Sequence, residues 1–258
     1  MNETIQLINN RKSLRAYADR HIDRKTADLI INGAMRAPTA GNMMLYTILE
    51  VTRQADKEKL VKTCDNQPFI AKAPLVLIFL ADMQRWQDYY VHSGVPELCK
   101  QREQEYAGLE ESDLMLACCD ALIAAQNAVV TAESLGIGSC YIGDIMENIE
   151  THRTMFNLPR YVFPVTMLCF GYFKKSYLTQ KPRTRFQQKF IHFQDTYKQL
   201  NHNEFEEMYA DLEKNSKGSY LTPATNYGQH MYLRKTGADF SREMRRSVKV
   251  AIRDWLGE

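Results

Sequence analysis

The segment 114–135 constrains this chain more than any other: it reads as a long helix that is apolar on nearly every side. A helix of that kind must be covered over most of its surface. It is therefore either the central helix of a large core or part of a subunit interface, and the sequence leaves both open. Its few polar residues are ordered. Asp120, Asn127, Thr131 and Ser134 fall at 0, +7, +11 and +14, within one narrow stripe, and Gln126 and Glu133 form a second stripe, seven apart. Gly136-Ile137-Gly138 follows, and glycine is the usual residue just past a helix end.

Around that helix the pattern mixes helices and strands. A short helix is expected over residues 3–9, and a second after Asp23, a good N-cap. There Ala27, Ile30, Ile31 and Ala34 recur at helical spacing and make one apolar face, which Ala37-Pro38 ends. Strands are expected over 45–52, over the continuous apolar run 74–81, over 162–173 and, last, over 190–197. Asp56 is expected to cap a short helix reaching about Cys64, and 139–143 reads as a compact apolar turn or strand. A helix over 147–158 stops at Pro159, and Ser241 is expected to cap a final helix with Met244, Val248, Ala251, Ile252 and Trp255 on one face. Strict strand–helix alternation is missing, which favours α+β over a doubly wound sheet. The expected division is a core over 1–200, with a polar and aromatic excursion or lid at 83–111, and a helical extension over 201–258 of the same domain.

Composition excludes several function classes. The 258 residues are 45% hydrophobic and 25% charged, enough apolar area to fold rather than stay disordered. Lys plus Arg total 33 against 31 Asp plus Glu, a net +2 that argues against nucleic acid or an anionic membrane as partner. The longest unbroken apolar run, 73–81, falls short of the ~20 residues of a membrane span. Met1-Asn2-Glu3 has neither the basic nor the apolar region of a signal peptide. Six cysteines, none in a C-x-x-C pair and four in apolar runs, point to a reducing cytoplasm without disulfides.

Common catalytic motifs fail. The P-loop and the G-x-S-x-G elbow are missing, and Gly136-x-Gly138 has the wrong spacing and context for a dinucleotide fingerprint. The six histidines are scattered without metal-ligand spacing, so no metal is expected. Four segments remain. Arg11-Lys12-Ser13-Leu14-Arg15 matches a solvated basic turn, but in an extended chain it also sets Arg11, Ser13 and Arg15 on one side as a phosphate cradle. Residues 36–42 end a helix in small side chains, either an ordinary turn or a close backbone approach to a flat ligand. Residues 135–143 are small enough to offer backbone N–H groups, and Lys181 with Arg183 makes a second cationic pair.

In this order the four segments resemble the FMN-dependent nitroreductase family. Arg11, Ser13 and Arg15 match its R-x-S-x-R element, and 37–42 matches A-P-[ST]-[AS]-x-N. Ala125, Gln126 and Asn127 with 132–138 match the A-x-Q-N…A-E-S-L-G-[IL]-G helix, Tyr141-Ile142-Gly143 the Y-I-G turn, 168–172 the late L-x-x-G-[YW] strand, and Lys181-Pro182-Arg183 the K-P-R element. The resemblance covers about residues 5–195, and the helical extension after it is similar to the larger, oxygen-insensitive nitroreductase and flavin reductase branch.

The resemblance implies an interlocked homodimer with a central, mostly antiparallel sheet flanked by helices, and FMN in a cleft at the subunit interface. It implies that Arg11, Ser13, Lys181 and Arg183 hold the phosphate, with Lys12 in the same basic element. Arg15 falls near the pyrimidine edge, where positive charge favours the reduced anionic flavin, and Gln67 matches a ring-edge hydrogen-bonding position. Thr39 and Ala40, followed by Asn42, match positions that reach the flavin from the partner subunit, and Tyr141, Ile142 and Gly143 match contacts along the ring. The implied reaction is ping-pong: NADPH or NADH reduces the flavin, leaves, and a nitroaromatic, quinone or flavin acceptor takes two electrons. The flavin carries that chemistry, so no catalytic side chain is named. Arg234, Lys235 and Arg242 are candidate contacts to the nicotinamide cofactor's phosphates, or ordinary surface charge. Two positions depart from the pattern: Met44 stands where Gln is frequent, and Asp144 where a second glycine is, its carboxylate turned either inward or to solvent. Reductive dehalogenation, flavin fragmentation and a flavin-holding protein without turnover are the alternatives.

Overall fold

A computed structural model describes residues 2–258. Helix α1 (Glu3–Asn10) starts where the Asn2 side chain accepts from Ile5 N, and α2 (Arg24–Met35) where Asp23 accepts from Thr26 N. Ala27, Ile30 and Ala34 form the buried face of α2. After strand β1 (Tyr46–Glu50) comes α3 (Gln54–Thr63). Asp56 does not cap α3: Arg53 occupies the cap, and Asp56 sits in the first turn, paired with Arg53 at 2.5 Å and favoured there by the positive helix end. Strand β2 (Leu75–Asp82) is buried at all eight positions. The excursion is two helices, α4 (Gln84–His92) and α5 (Val95–Gln101).

The long helix is α6 (Glu111–Ser134), which begins at a reciprocal cap between Glu110 and Asp113. Gly136, at φ +71°, ends it and leads into β3 (Ile137–Ile142). Then come α7 (Ile149–Phe156), β4 (Val162–Tyr172), the short α8 (Lys175–Leu178), α9 (His202–Ser216), α10 (Tyr227–Met231) and α11 (Asp239–Leu256). Ser241 lies inside α11 rather than at its cap, because the helix already starts at Asp239. The strand expected over 190–197 does not form. Only Phe190 is buried there, Asp195 is left-handed at φ +59°, and Phe193 meets Tyr197 edge-on instead of a sheet face.

The four strands form one antiparallel sheet in the order β1-β2-β4-β3, an α+β arrangement. Pro164 has no N–H for the ladder, and the register slips beside it, where Phe79 faces Thr166 and Leu80 faces Pro164. Alternation along β2 divides the core. Leu75, Leu77, Phe79 and Ala81 pack with α2 and α6, while Val76, Ile78 and Leu80 pack with Leu60, Leu14 and Tyr17 on the other face.

The alanine row of α6, from Ala117 through Ala121, Ala124, Ala125 and Ala128 to Ala132, is fully buried. Asn127 and Thr131 of its polar stripe face α2, where Asn127 Nδ2 donates to Gly33 O at 3.3 Å. Its other side stays open: Met115 is 70% exposed, and Leu116, Cys119, Leu122 and Ile123 continue that face. The core alternative for this helix therefore holds on one side, and the other side is an uncovered apolar face.

The chain divides into two compact units. The first runs to Lys181 and resumes at Glu243–Glu258, and the second is Pro182–Arg242. In the first, α11 is fastened by Ile149 N to Ser247 Oγ at 2.9 Å and by Arg246 reaching both Glu150 oxygens at 2.7 and 2.9 Å. In the second, Glu213 accepts from Tyr220 OH at 2.6 Å and from Tyr227 N at 2.8 Å.

A Cβ on Gly33 would lie 2.1 Å from Thr131 Oγ1 and 2.8 Å from its Cβ, so α2 and α6 touch backbone to side chain. Gly33→Ala is expected to destabilise by about 2 kcal/mol, a fall of roughly 4–8 °C in Tm, read by thermal unfolding. An unchanged Tm would contradict this packing.

Candidate functional site

Residues 11–18 leave α1 and run along the sheet. Ser13 bridges Ser139 of β3, Leu14 N donates to Ser139 O at 2.8 Å, and Ala18 N donates to Tyr172 O at 2.9 Å. Leu14 and Tyr17 turn into the core, and two glycines make the room. A Cβ on Gly138 would meet the Phe173 ring at 2.5 Å and Leu14 at 2.9 Å, and one on Gly171 would meet the Tyr17 ring at 2.3 Å. The motif glycines thus have separate tasks: Gly136 turns the chain, Gly138 admits neighbouring side chains, and at Gly143 a Cβ would make only an ordinary contact, with Met146 at 3.9 Å.

With Leu14 inward, alternation sets Ser13 and Arg15 on the opposite side. Arg11 Nη1 is buried without a hydrogen-bond partner among the described residues. Burial pushes Glu133 up to about 7 against the pull of Arg11 and Lys12, and its Oε1 is likewise buried and unpartnered. Tyr141, whose hydroxyl donates to Gln126 Oε1 at 3.2 Å, is pushed up to about 12 by burial, opposed by Arg11. Ile142 is buried.

Lys12 Nζ donates to the carbonyls of Tyr177 at 2.7 Å, Leu178 at 3.4 Å and Gln180 at 2.5 Å. Its ammonium sits at the carbonyl end of α8, where a cation is favoured, and it ties the residue preceding Lys181 to the basic strip. Lys181 is exposed and closes this part of the first unit; Arg183 is exposed and belongs to the second. In that second unit Arg242 pairs with Asp239, and Lys235 lies 5.0 Å from the centre of the Phe240 ring.

The ring-edge candidates cluster beside the strip. The Arg15 guanidinium lies 5.9 Å from the centre of the Phe69 ring. Two residues earlier, Gln67 Nε2 donates to Asp144 Oδ2 at 2.8 Å and to Cys64 O at 3.0 Å. Asp144 therefore turns toward Gln67, not to solvent. Glu147 beside it is buried, and desolvation followed by the Asp144 charge pushes its carboxyl up to about 8. Burial also raises the thiols of Cys64, Cys140 and Cys169, which keeps them protonated packing groups.

Thr39, Ala40 and Asn42 lie on a different part of the first unit. Their loop is left-handed at Gly41, Asn42 and Met44. It is pinned by Asp120 of α6, a carboxylate only 2% exposed, which accepts from Thr39 Oγ1, from Ala40 N at 3.1 Å and from Leu45 N at 3.1 Å. Met44 N donates to Thr39 Oγ1 at 2.8 Å, and Trp86 Nε1 donates to Met43 O at 2.9 Å. Asp120 stood out in the sequence as the head of a polar stripe, but nothing there said that it organises this loop. Asp120 and Glu133 are thirteen residues apart on α6; at 1.5 Å per residue, the loop and the basic strip are separated by about 20 Å along that helix.

Comparisons place this geometry. The model of the nitroreductase family matches residues 8–172. An FMN reductase (NADPH) of Bacillus subtilis is 30% identical over 174 residues, which is 67% of this chain and 66% of that protein. An NAD(P)H FMN reductase of the same organism is 31% identical over 204 residues, 79% of this chain and 77% of its own length. The solved structure of NfrA2 from B. megaterium superposes with a TM-score of 0.78 at 27% identity, covering 97% of this chain and 98% of that one.

The buried carboxyls predict how stability varies with pH. Glu147 and Glu133 titrate at about 8 and about 7 in the folded chain against an ordinary 4.5, so the folded state keeps protons that the unfolded chain releases. Their contribution is complete below pH 4.5 and is lost as pH rises through 7 to 8. His152, buried and lowered to about 4 from 6.5, acts oppositely: its contribution is complete above pH 6.5 and is lost toward pH 4. Tm is therefore expected to fall between pH 6.5 and 8, and Glu147→Gln to flatten that fall. A Tm that rises across this interval would contradict the assignment.

Proposed function

The chain belongs to the nitroreductase family, and on that footing we propose that it is a homodimeric, FMN-dependent NAD(P)H oxidoreductase that passes two electrons to a small oxidised acceptor of the nitroaromatic, quinone or flavin class. The observation that carries this reading is the unpartnered, buried Arg11 Nη1 in a strip that Lys12 ties to the approach of Lys181. A buried guanidinium N–H without an acceptor is costly, and a phosphate oxygen satisfies it with a charge-assisted bond.

The residues present fit FMN. Arg11 and Ser13 would hold its phosphate together with Lys181. Arg15 and Gln67 would meet the ring edge, with the Tyr141–Gly143 backbone along the ring. FMN supplies the two-electron exchange when bound. The protein's part is to bind and to orient. Arg15 places positive charge where electron density gathers on reduction, and Tyr141 and Phe69 exclude water there.

Two features support a second copy of this chain as partner. The outer face of α6 leaves Met115, Leu116, Leu122 and Ile123 uncovered, the kind of apolar patch that marks an interface. The separation of about 20 Å along α6 between the basic strip and the Thr39–Asn42 loop suits a cleft that takes one from each chain. A cytoplasmic location accords with six unpaired cysteines, and the net charge of +2 accords with a small-molecule substrate rather than nucleic acid or membrane.

The purified protein is expected to be yellow, to bleach under NADPH or NADH without oxygen, and to regain its colour on adding a quinone. Bleaching without recovery by quinone, nitroaromatic or flavin would move the reading to dehalogenation, flavin fragmentation or flavin storage. A protein that ignores added FMN would end it. Arg11→Ala combined with Lys181→Ala is expected to weaken FMN binding by about a hundredfold or more, since each removes a charge-assisted contact.

A further inference from the structure

Gln67 is held by its amide nitrogen alone. Nε2 donates to Asp144 Oδ2 at 2.8 Å and to Cys64 O at 3.0 Å. Both neighbours are acceptors, so turning the amide over would set its oxygen against two other oxygens. The orientation is thus dictated by chemistry. Gln67 Oε1 accepts nothing from the described residues, and the side chain is half-buried, so the oxygen is the end left for a ligand.

Asp144 is itself held in place. It lies in the turn Gly143–Met146, directly after β3, with the buried Glu147 beside it. Burial and then the Asp144 charge push the Glu147 carboxyl up to about 8, and its Oε1 is buried without a partner among the described residues. Two residues beyond Gln67, the Phe69 ring carries the Arg15 guanidinium, a group that only donates. The neighbourhood therefore presents donors from Arg15 and one acceptor from Gln67.

We propose that Asp144 is a positioning residue: by binding Gln67 Nε2 it fixes Gln67 Oε1 as the acceptor at the ring edge, so that the site selects a flavin whose pyrimidine edge carries an N–H beside its carbonyls. This deepens the FMN reading and rests on it. An imide edge alternates C=O, N–H and C=O, and it is complemented only when donors and an acceptor stand opposite it. Without Asp144, Gln67 keeps a single anchor and its amide turns more freely.

The test compares FMN with 3-methyl-FMN, in which a methyl group replaces that N–H, by fluorescence titration of the flavin-stripped full-length protein. The unaltered protein is expected to prefer FMN by about tenfold, the scale of one buried hydrogen bond lost with its acceptor left unpaired. Asp144→Gly is expected to reduce the preference to about twofold, and Gln67→Ala to abolish it. Asp144→Asn keeps an acceptor for Gln67 Nε2 and is expected to retain the preference. Equal selectivity in Asp144→Gly and the unaltered protein would overturn the proposal. So would Asp144→Asn behaving like Asp144→Gly, since charge alone would then be responsible. An unaltered protein that binds both flavins equally removes the positioning role and leaves the FMN reading standing, whereas one that binds neither removes both.

Discussion

A single helix sets the distances in this molecule. α6 buries a row of alanines against the sheet and α2, and alanine lets both approach closely enough for Gly33 to touch Thr131. Near its middle Asp120 holds the Thr39–Asn42 loop, and near its end Glu133 lies close to Arg11 and Lys12. The helix is thus a ruler that holds the two halves of the candidate site apart, one at its middle and one at its end. Asp120 shows why the loop is held so firmly. A buried carboxylate is tolerated when hydrogen bonds replace its hydration, and here three donors from one short loop do so.

The basic strip is positioned by different means. It has too few ladder bonds to be a full strand, and it is kept on the sheet by Leu14 and Tyr17 entering spaces that Gly138 and Gly171 leave open. Lys12 then gathers three carbonyls at the end of α8. The consequence is a division of labour among neighbouring cations. Lys12 is occupied with main chain, while Arg11 keeps a donor that nothing among the described residues accepts. On the proposed reading, that unmet donor is where an anionic cofactor gains its hold.

Much of the fold was legible because local chemistry and burial agree. Asp23 caps α2, Gly136 ends α6, and the unbroken apolar run becomes β2, covered on both faces. The misreadings come from places where local pattern and tertiary partner part company. Residues 190–197 have the aromatic content of a strand but form none, and Asp56 and Ser241 are good caps one turn from where their helices begin. Site residues show the same limit. Spacing brought out Arg11, Ser13 and Arg15, yet only coordinates reveal that Gly138 serves packing, that Asp144 turns inward to Gln67, and that Asp120 organises a loop some eighty residues earlier.

The central claim is that each flavin cleft takes its basic strip from one chain and its small-residue loop from another. Mixed dimers test it most directly. One parent carries Arg11→Ala with Lys181→Ala, the other Ala40→Trp, and each parent homodimer is expected to lose FMN at a concentration that leaves the unaltered protein loaded. If the cleft is shared between chains, the mixed dimer brings one intact strip to one intact loop, and it should hold one FMN per two chains. A mixed dimer as empty as its parents would place strip and loop in the same chain's site and contradict the account.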